Sequence, residues 1–255
     1  MNEQILQEVR EKQPLIHHLT NQVVMNFTAN GLLSFGGTPI MAKEVEEAGD
    51  MAFLADGVLI NIGTVTSNEV DAMIKAGKAA NEKGIPVVLD PVGVAATSFR
   101  KNVIDKLLKE VRFTAIKGNA GEMGALVGEQ LETKGVDAVG EGDSEAIAQQ
   151  VAQTYKTVAV VTGAKDVIHD GETCRINETG HPILAKVTGG GCLLGSILTA
   201  CLTTSGSRLD QAYTAVAFYG ASAAHAASSA EVNGSGSFVP VFIDSLSAEV
   251  KELRA

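Results

Sequence analysis

Residues 186 to 196 read KVTGGGCLLGS and lead directly into an apolar helical pattern. Glycine lacks a Cβ, so the backbone N–H groups of such a run can approach a ligand closely. A helix that begins there adds unpaired N–H groups and the positive end of its dipole, which favour phosphate. The stretch matches neither common phosphate-loop pattern, however, and a plain tight turn is equally compatible with it. It therefore predicts a glycine loop followed by a helix, with an anion site and a turn as the open alternatives.

Cys192 falls in the first turn of that predicted helix. A helix N-terminus lowers the pKa of a thiol, so we expect thiolate character at Cys192. The alternative is a small buried cysteine behind the glycines. Cys192 and Cys201 lie about 13 Å apart along one predicted helix, which is too far for a disulfide. An odd cysteine count without a pairing framework is typical of a protein in the reducing cytoplasm.

Composition narrows the class of protein. The chain has 255 residues, 45% apolar and 20% charged, which fits one globular α/β domain over residues 1–255. The net charge of −10 and the aromatic content of 4% argue against nucleic acid as a partner. No apolar run reaches the roughly 20 residues of a membrane span, and the N-terminus does not resemble a signal peptide. The five histidines show no metal-ligand spacing.

Apolar strand patterns alternate with helical patterns along the whole chain. This order predicts a mostly parallel sheet that is covered by helices on both faces. Thr20 and Asn21 are expected to cap the helix that follows them. Residues 166–176 predict a hairpin that turns at Asp170 and Gly171. Residues 131–143 predict a surface loop, and residues 233–237 a mobile glycine-serine loop before a closing helix at 241–253.

Polar and glycine residues follow the predicted strands. Ligands of open α/β sheets bind beyond the carboxyl ends of the strands, so these positions are candidates for a nucleotide or phosphate site. The candidates are Thr20-Asn21, residues 61–63, residues 90–93, residues 117–119 and Thr162-Gly163.

Each of these candidates has a second interpretation. Asp90 suits a hydrated magnesium ion or a turn cap. Lys117 suits a phosphate as a point charge. Glu122 suits a nearby metal or, more commonly, the dipole of its own helix. Thr162-Gly163 suits a phosphate or a simple turn. Their shared placement at strand ends carries more weight than any one of them.

Five segments, taken together, resemble the hydroxyethylthiazole kinase family. They occur in the family's order and span the chain from about residue 15 to about residue 240. The segments are residues 20–33 (TNQVVMNFTANGLL), residues 39–42 (PIMA), residues 90–93 (DPVG) with Phe99-Arg100, residues 117–122 (KGNAGE) and residues 187–192 (VTGGGC).

This resemblance implies a ribokinase-like, three-layer α/β/α fold with a central, mostly parallel sheet. It implies ATP-dependent phosphorylation of the hydroxyl of 4-methyl-5-(2-hydroxyethyl)thiazole in thiamine salvage, with Mg²⁺ and ATP. It further implies a homotrimer with active sites between subunits. The nearest alternative is a related kinase acting on hydroxymethylpyrimidine or a pyridoxal-type alcohol, in which aspartate usually replaces Cys192.

The resemblance also assigns roles to residues. Asn21, Val23, Met41 and Gly189 are implied to line the thiazole site. Lys117, Thr162 and Gly163 are implied to bind ATP, and Asp90 and Glu122 to hold Mg²⁺ through water. Gly189, Gly190, Gly191 and Cys192 are implied to form the anion hole, with Cys192 catalytic as a base or a positioning group. Family members carry arginine or lysine where Lys117 stands, and lysine lacks arginine's bidentate fork.

Overall fold

The computed structural model describes residues 1–128 and 141–253, without the side chains of residues 141 and 142. Within these residues, eight strands form one sheet in the order β2-β1-β3-β4-β5-β6-β7-β8. Strands β1 to β6 pair in parallel, and β6, β7 and β8 pair antiparallel. The strands are β1 (Leu15–Leu19), β2 (Thr38–Ile40), β3 (Gly57–Asn61), β4 (Val87–Asp90), β5 (Ala115–Asn119), β6 (Val158–Thr162), β7 (Asp166–His169) and β8 (Cys174–Asn177).

Helices connect most of these strands, as the parallel pairing requires. A 3₁₀ helix, Pro182–Lys186, precedes the glycine loop. The α-helices are α1 (Glu3–Lys12), α2 (Met25–Phe35), α3 (Ala48–Leu54), α4 (Ser67–Lys83), α5 (Ser98–Glu110), α6 (Ala120–Leu126), α7 (Glu141–Tyr155), α8 (Gly190–Cys201), α9 (Arg208–Ser228), α10 (Ser235–Ser245) and α11 (Val250–Leu253).

Two apolar cores sandwich the sheet, because alternate residues of each strand point to opposite faces. Leu59 of β3 packs with α1, α2 and α8 to α11 on one face. Its neighbours Val58 and Ile60 pack with α3 to α7 on the other. The strand patterns are apolar on both faces for this reason. The three-layer α/β/α arrangement expected from the sequence is confirmed.

The strand order reverses beside β1. The chain passes from β1 to β2 on one side and then crosses to β3 on the other side of β1. Such a switch point opens a crevice at the carboxyl ends of the two strands, where α/β proteins bind ligands. Asn21 follows β1 and Asn61 ends β3, so both lie at this crevice.

The hairpin predicted over residues 166–176 is confirmed. It consists of β7 and β8, which extend the sheet beyond β6, and its turn contains Gly171 at φ 103°. Only glycine adopts such a backbone without strain.

Three local predictions are wrong or lie outside the described residues. Thr20 and Asn21 do not cap α2, which begins at Met25 after Val24. The loop expected at 233–237 already contains the start of α10 at Ser235, and the closing helix is divided into α10 and α11. The loop predicted at 131–143 falls largely on residues that the structure does not describe.

None of the helices in the described part of the chain has the length and apolarity needed to cross a membrane.

Candidate active site

The glycine loop forms the N-terminus of α8. Gly189 is the N-cap at φ 88°, and a Cβ added there would lie 2.5 Å from Val24 Cγ1. Both the backbone angle and the lack of space require glycine at this position. The loop is anchored from α9, where Tyr219 Oη donates to Gly190 O at 2.5 Å. The predicted loop-to-helix junction is confirmed, and packing holds it in one conformation.

The first turn of α8 carries unpaired amides. Gly190 N donates to Val187 O at 3.2 Å, and Leu193 N donates to Gly189 O at 2.9 Å. Between them, the N–H groups of Gly191 and Cys192 have no acceptor within the described residues. Free N–H groups at the positive end of a helix dipole form an anion site. The geometry therefore favours the phosphate interpretation of the loop over the plain turn.

Lys117 of β5 faces this helix terminus. Its Nζ lies 3.0 Å from Gly191 O and 3.2 Å from Asp90 Oδ2. Burial lowers the pKa of the Lys117 ammonium, but the nearby carboxylates of Asp90 and Glu122 raise it overall, so the lysine is charged. Burial likewise raises the pKa of the Asp90 carboxyl above its usual range, although Lys117 opposes this. A positive charge therefore lies directly beside the free amides.

Asn61 connects these groups to the switch-point crevice. Its Nδ2 donates to Asp90 Oδ2 at 2.7 Å and to Cys192 Sγ at 3.2 Å. Its Oδ1 accepts from Asn21 Nδ2 at 3.0 Å and from Gly63 N at 2.9 Å. The side chain of Asn21, predicted to be a helix cap, is thus committed to this cluster. That commitment explains why α2 begins later than expected.

The expectation of a lowered thiol pKa at Cys192 is wrong. Burial raises the pKa of this thiol, and the Asp90 carboxylate raises it further, while Lys117, Asn61 and Asn21 lower it in part. The helix terminus acts locally, whereas the loss of water around the thiol depends on the whole fold. Cys192 is therefore a neutral thiol at physiological pH, and its Sγ accepts from Asn61 and Asn21.

Glu122 caps its own helix, which is one of the two uses that the sequence left open, and it also holds a neighbouring loop. It completes a capping box with Asn119, accepting from Asn119 N at 3.0 Å. Its other oxygen accepts from Gly93 N at 2.9 Å and so holds the loop after β4. Glu122 also raises the pKa of Asp90, which places its charge within reach of that carboxyl.

Arg100 binds two strand-end loops together. Its guanidinium donates to Ile62 O at 2.8 Å, to Gly63 O at 2.6 Å and to Val92 O at 2.6 Å. The loops that follow β3 and β4 are therefore fixed relative to each other. The motif that contains Arg100 was visible in the sequence, but its clamp role was not.

Thr162 and Gly163 lie farther along the same edge of the sheet. Thr162 ends β6 opposite Asn119 of β5. Gly163 is exposed, and its N–H donates to Asp166 Oδ1 at 3.1 Å. Asp166 in turn accepts from Asn177 Nδ2 at 2.9 Å, which fixes its carboxylate. This part of the edge is open to solvent, as a bound nucleotide requires.

The two apolar residues assigned to a thiazole pocket lie at the other end of the edge. Val23 precedes α2 and is 68% exposed. Met41 follows β2 and is half-buried, and the next carbonyl, Ala42 O, lies 2.7 Å from His17 Nε2. The structure therefore brings Asn21, Asp90, Lys117 and Cys192 into one cluster and leaves Val23 outside it.

The cluster offers few direct ligands to a metal ion, but one carboxylate oxygen is free to accept a hydrogen bond. Within residues 1–128 and 141–253, no three His, Cys, Asp or Glu side chains are arranged to hold a metal ion. Asp90 Oδ1, however, is buried without a hydrogen-bond partner. An unpaired carboxylate oxygen is an acceptor for a water of a hydrated cation. These residues thus fit a Mg²⁺ that is held through water and phosphate and not by a protein cage.

Several residues that build the site were not identified from the sequence. The sequence marks Asn61 only as a strand-end residue, and it assigns no role to Tyr219 or Arg100. His18 of β1 contacts α8, and its Nε2 lies 2.9 Å from Ser196 Oγ. A single asparagine after a wholly apolar strand was a usable signal for Asn61. Tyr219 offers no local signal, because its partner Gly190 lies 29 residues away.

Comparison with known proteins agrees with this geometry. Residues 6–252 match the model of the hydroxyethylthiazole kinase family. Hydroxyethylthiazole kinase 1 of Oceanobacillus iheyensis is 60% identical to this chain, with 99% of this chain and 98% of the relative aligned.

Two solved structures extend the comparison. That of a hydroxyethylthiazole kinase from Pyrococcus horikoshii is 37% identical, covers 99% of this chain and 95% of its own, and has a TM-score of 0.90. A ribokinase-like superfamily protein from Enterococcus faecalis shares the fold at a TM-score of 0.64 and 11% identity, over 96% of this chain and 95% of its own. The fold is therefore ribokinase-like, and the chain belongs to the hydroxyethylthiazole kinase family.

Proposed function

We propose that this chain transfers the γ-phosphoryl group of ATP to the hydroxyl of 4-methyl-5-(2-hydroxyethyl)thiazole, yielding the thiazole phosphate and ADP in thiamine salvage. The observation that carries the proposal is the pair of unpaired amides, Gly191 N and Cys192 N, beside the charged Lys117. Phosphoryl transfer requires positioning and charge neutralisation more than covalent chemistry. A buried cation and free amides supply both.

The phosphate chain of ATP is placed along the strand ends from Gly163 to Gly191. Thr162 and Gly163 bind it at the outer end, and Lys117 binds it beside α8. Lys117 is already near Gly191 O, so a small movement of its flexible stem is enough to reach a phosphate. Gly189, Gly190, Gly191 and Cys192 then form the anion hole that stabilises charge on the transferring group.

The thiazole alcohol is placed at the switch-point crevice. Asn21, Val23 and Met41 line its ring, and Gly189 lies at the hydroxyl end. Cys192 acts there as a neutral thiol whose Sγ is held by two asparagines. A loose transition state releases the hydroxyl proton late, so a strong base is unnecessary. Cys192 accordingly orients the hydroxyl and contributes little as a base.

Asp90 and Glu122 would hold Mg²⁺ through water. The unpaired Asp90 Oδ1 is the acceptor that such a water needs. When bound, the ion neutralises negative charge on the phosphates. Asp90 stays beside Lys117, and Glu122 fixes the Gly93 loop around it.

The active unit is a homotrimer with its active sites between subunits. The exposed apolar residues Val23 and Leu33, at 68% and 56%, lie before and on α2 next to the acceptor pocket. A second copy covering this surface would enclose the ring of the substrate. Light scattering with the active protein tests this, and a fully active monomer would contradict it. The free cysteines among the described residues support a cytoplasmic location for the enzyme.

The decisive experiment supplies the protein with MgATP and one alcohol at a time. Phosphorus NMR follows the product with the thiazole alcohol, hydroxymethylpyrimidine and pyridoxal. We expect the phosphomonoester of the thiazole alcohol to form with the highest kcat/KM. Preferential phosphorylation of either of the other two alcohols would instead support the alternative kinase function.

A further inference from the structure

Asn61 occupies the centre of the cluster. It is the last residue of β3 and pairs in register with Asp90, the last residue of β4. Its exposed fraction is 1%. A buried carboxamide needs hydrogen-bond partners at both of its ends, because an unpaired buried polar atom is destabilising. All of the hydrogen-bond partners of the Asn61 side chain described above are groups of the protein.

The orientation of the Asn61 amide is unambiguous. The N–H of Gly63, 2.9 Å away, can only donate, so the atom facing it must be the oxygen Oδ1. The nitrogen Nδ2 therefore faces the opposite side. Arg100 holds this arrangement in place, since it binds the carbonyl of Gly63 at 2.6 Å.

The two hydrogens of Nδ2 serve the two sides of the proposed reaction. One is donated to Asp90 Oδ2 at 2.7 Å, on the side of the phosphates. The other is donated to Cys192 Sγ at 3.2 Å, on the side of the acceptor. Together with Lys117, Asn61 occupies Oδ2 and leaves Oδ1 as the free acceptor of Asp90.

We propose that Asn61 is a positioning residue that fixes Asp90 and Cys192 in one arrangement for phosphoryl transfer. The proposal rests on the proposed function above. Without the amide, Asp90 Oδ2 keeps only Lys117 as a partner, so the carboxylate is less restrained in rotation about its Cβ–Cγ bond, and the thiol loses one of its two donors. A displacement of about 1 Å at reacting groups reduces turnover by about 100-fold. The effect is expected on kcat, because the partners of the Asn61 side chain described above are all protein groups.

Asn61→Asp tests the proposal with little change in shape. It preserves the oxygen that faces Asn21 and Gly63 but replaces the donor with an acceptor toward Asp90 and Cys192. We expect kcat to fall about 100-fold. The Kd of the thiazole alcohol, measured by calorimetry without nucleotide or magnesium, should stay within about threefold of the wild type.

Asn81→Asp is the matched control. Asn81 on α4 also uses both ends of its amide, donating to Arg112 O and accepting from Arg112 N at 2.8 Å each. It is half-buried and its partner Arg112 lies outside the cluster, so the same chemical change should leave kcat unaltered. A fall in kcat comparable to that of Asn61→Asp would show a general effect of added charge and would overturn the proposal.

Four further results are informative. An unchanged kcat in Asn61→Asp would overturn the proposal, as would a rise in thiazole Kd that matches the fall in kcat. If Asn61→Asp does not fold, Asn61→Ser carries the same expectations, and failure of both to fold would assign Asn61 to the fold alone. If the wild type prefers another alcohol, the comparison is made with that alcohol, so failure of the proposed substrate leaves this test intact.

Discussion

The strand ends that form the site differ in how completely the protein satisfies their polar groups. At the transfer end, defined by Asn61, Asp90 and Lys117, the residues are at most 4% exposed and their side chains bond to one another. At the nucleotide end, Thr162 and Gly163, the chain is half-buried or exposed, and Thr162 Oγ1 has no partner among the described residues. The first region is preorganised, and the second leaves polar groups free for the proposed nucleotide.

This difference separates the kinetic constants that each region controls. Preorganised groups stabilise the transition state, so their loss lowers kcat. Groups that bind the ground state and transition state equally affect KM. Substitutions at the transfer end should therefore lower kcat, whereas substitutions at the nucleotide end should raise KM.

Lys117→Met should have the largest effect. It removes the cation beside Gly191 and leaves the buried Asp90 without its ion pair. We expect kcat to fall about 10³-fold and the free energy of unfolding to fall by about 3 kcal/mol. Coupled kinase assays and urea unfolding measure the two effects.

Lys106→Met is the control for that substitution. Lys106 pairs with Asp71 at 3.0 Å on the surface, with both side chains more than half exposed. Such pairs contribute about 0–1 kcal/mol. If Lys106→Met and Lys117→Met behaved alike, Lys117 would not belong to a preorganised site.

Gly189→Ala should disrupt the transfer end through its backbone. Gly189 has φ 88° and no room for a Cβ, whereas Gly206 has φ 110° and nothing within 4 Å of an added Cβ. Both substitutions strain the backbone, but only Gly189→Ala also creates a clash. We expect it to cost about 1–3 kcal/mol more stability than Gly206→Ala. Gly189→Ala should also lower kcat about 100-fold. Equal losses of stability and activity in Gly189→Ala and Gly206→Ala would show that the structure accommodates the added Cβ at residue 189.

The buried His18, which contacts α8, should make the free energy of unfolding depend on pH. Burial lowers the pKa of His18 from 6.5 to about 4, so the unfolded chain binds a proton more readily than the folded one. The contribution of His18 to the free energy of unfolding is fully present above pH 6.5. It decreases by about 3 kcal/mol as the pH falls toward 4.

Urea unfolding at pH 7 and pH 4 measures the contribution of His18. The loss of stability between these two pH values should be about 3 kcal/mol smaller in His18→Gln than in the wild type. The exposed His225 provides the control, since His225→Gln should retain the wild-type loss. An unchanged loss in His18→Gln would place the pH dependence elsewhere.

Thr162→Val should have the smallest effect. It removes one hydroxyl from the nucleotide end, and one hydrogen bond is worth about 1 kcal/mol. We expect the KM for ATP to rise about fivefold to tenfold with little change in kcat. Thr173→Val, at the exposed hairpin turn, should change neither constant.

The sequence was sufficient to predict the general position of the site. Apolar strands that alternate with helices predict a sheet, and its carboxyl edge then gathers Asp90, Lys117 and Thr162 without further information. The glycine run likewise predicted the start of α8, because few residues other than glycine allow a ligand to approach the backbone closely or adopt a positive φ.

The sequence was not sufficient to predict the hydrogen-bond partners. Asn21 was a plausible helix cap until Asn61, 40 residues away, was found to accept from it. The pKa of Cys192 was predicted from its own helix, yet burial by distant elements reverses the shift. Both errors arise because tertiary contacts outweigh local preferences.

Measuring kcat and the KM for ATP in Asn61→Asp and Thr162→Val tests the division between the two ends most directly. Both variants are assayed with the thiazole alcohol at saturation. We predict that Asn61→Asp lowers kcat about 100-fold with little change in the KM for ATP, and that Thr162→Val raises that KM with little change in kcat. The reverse pattern, or equal changes of both constants in both variants, would contradict the account.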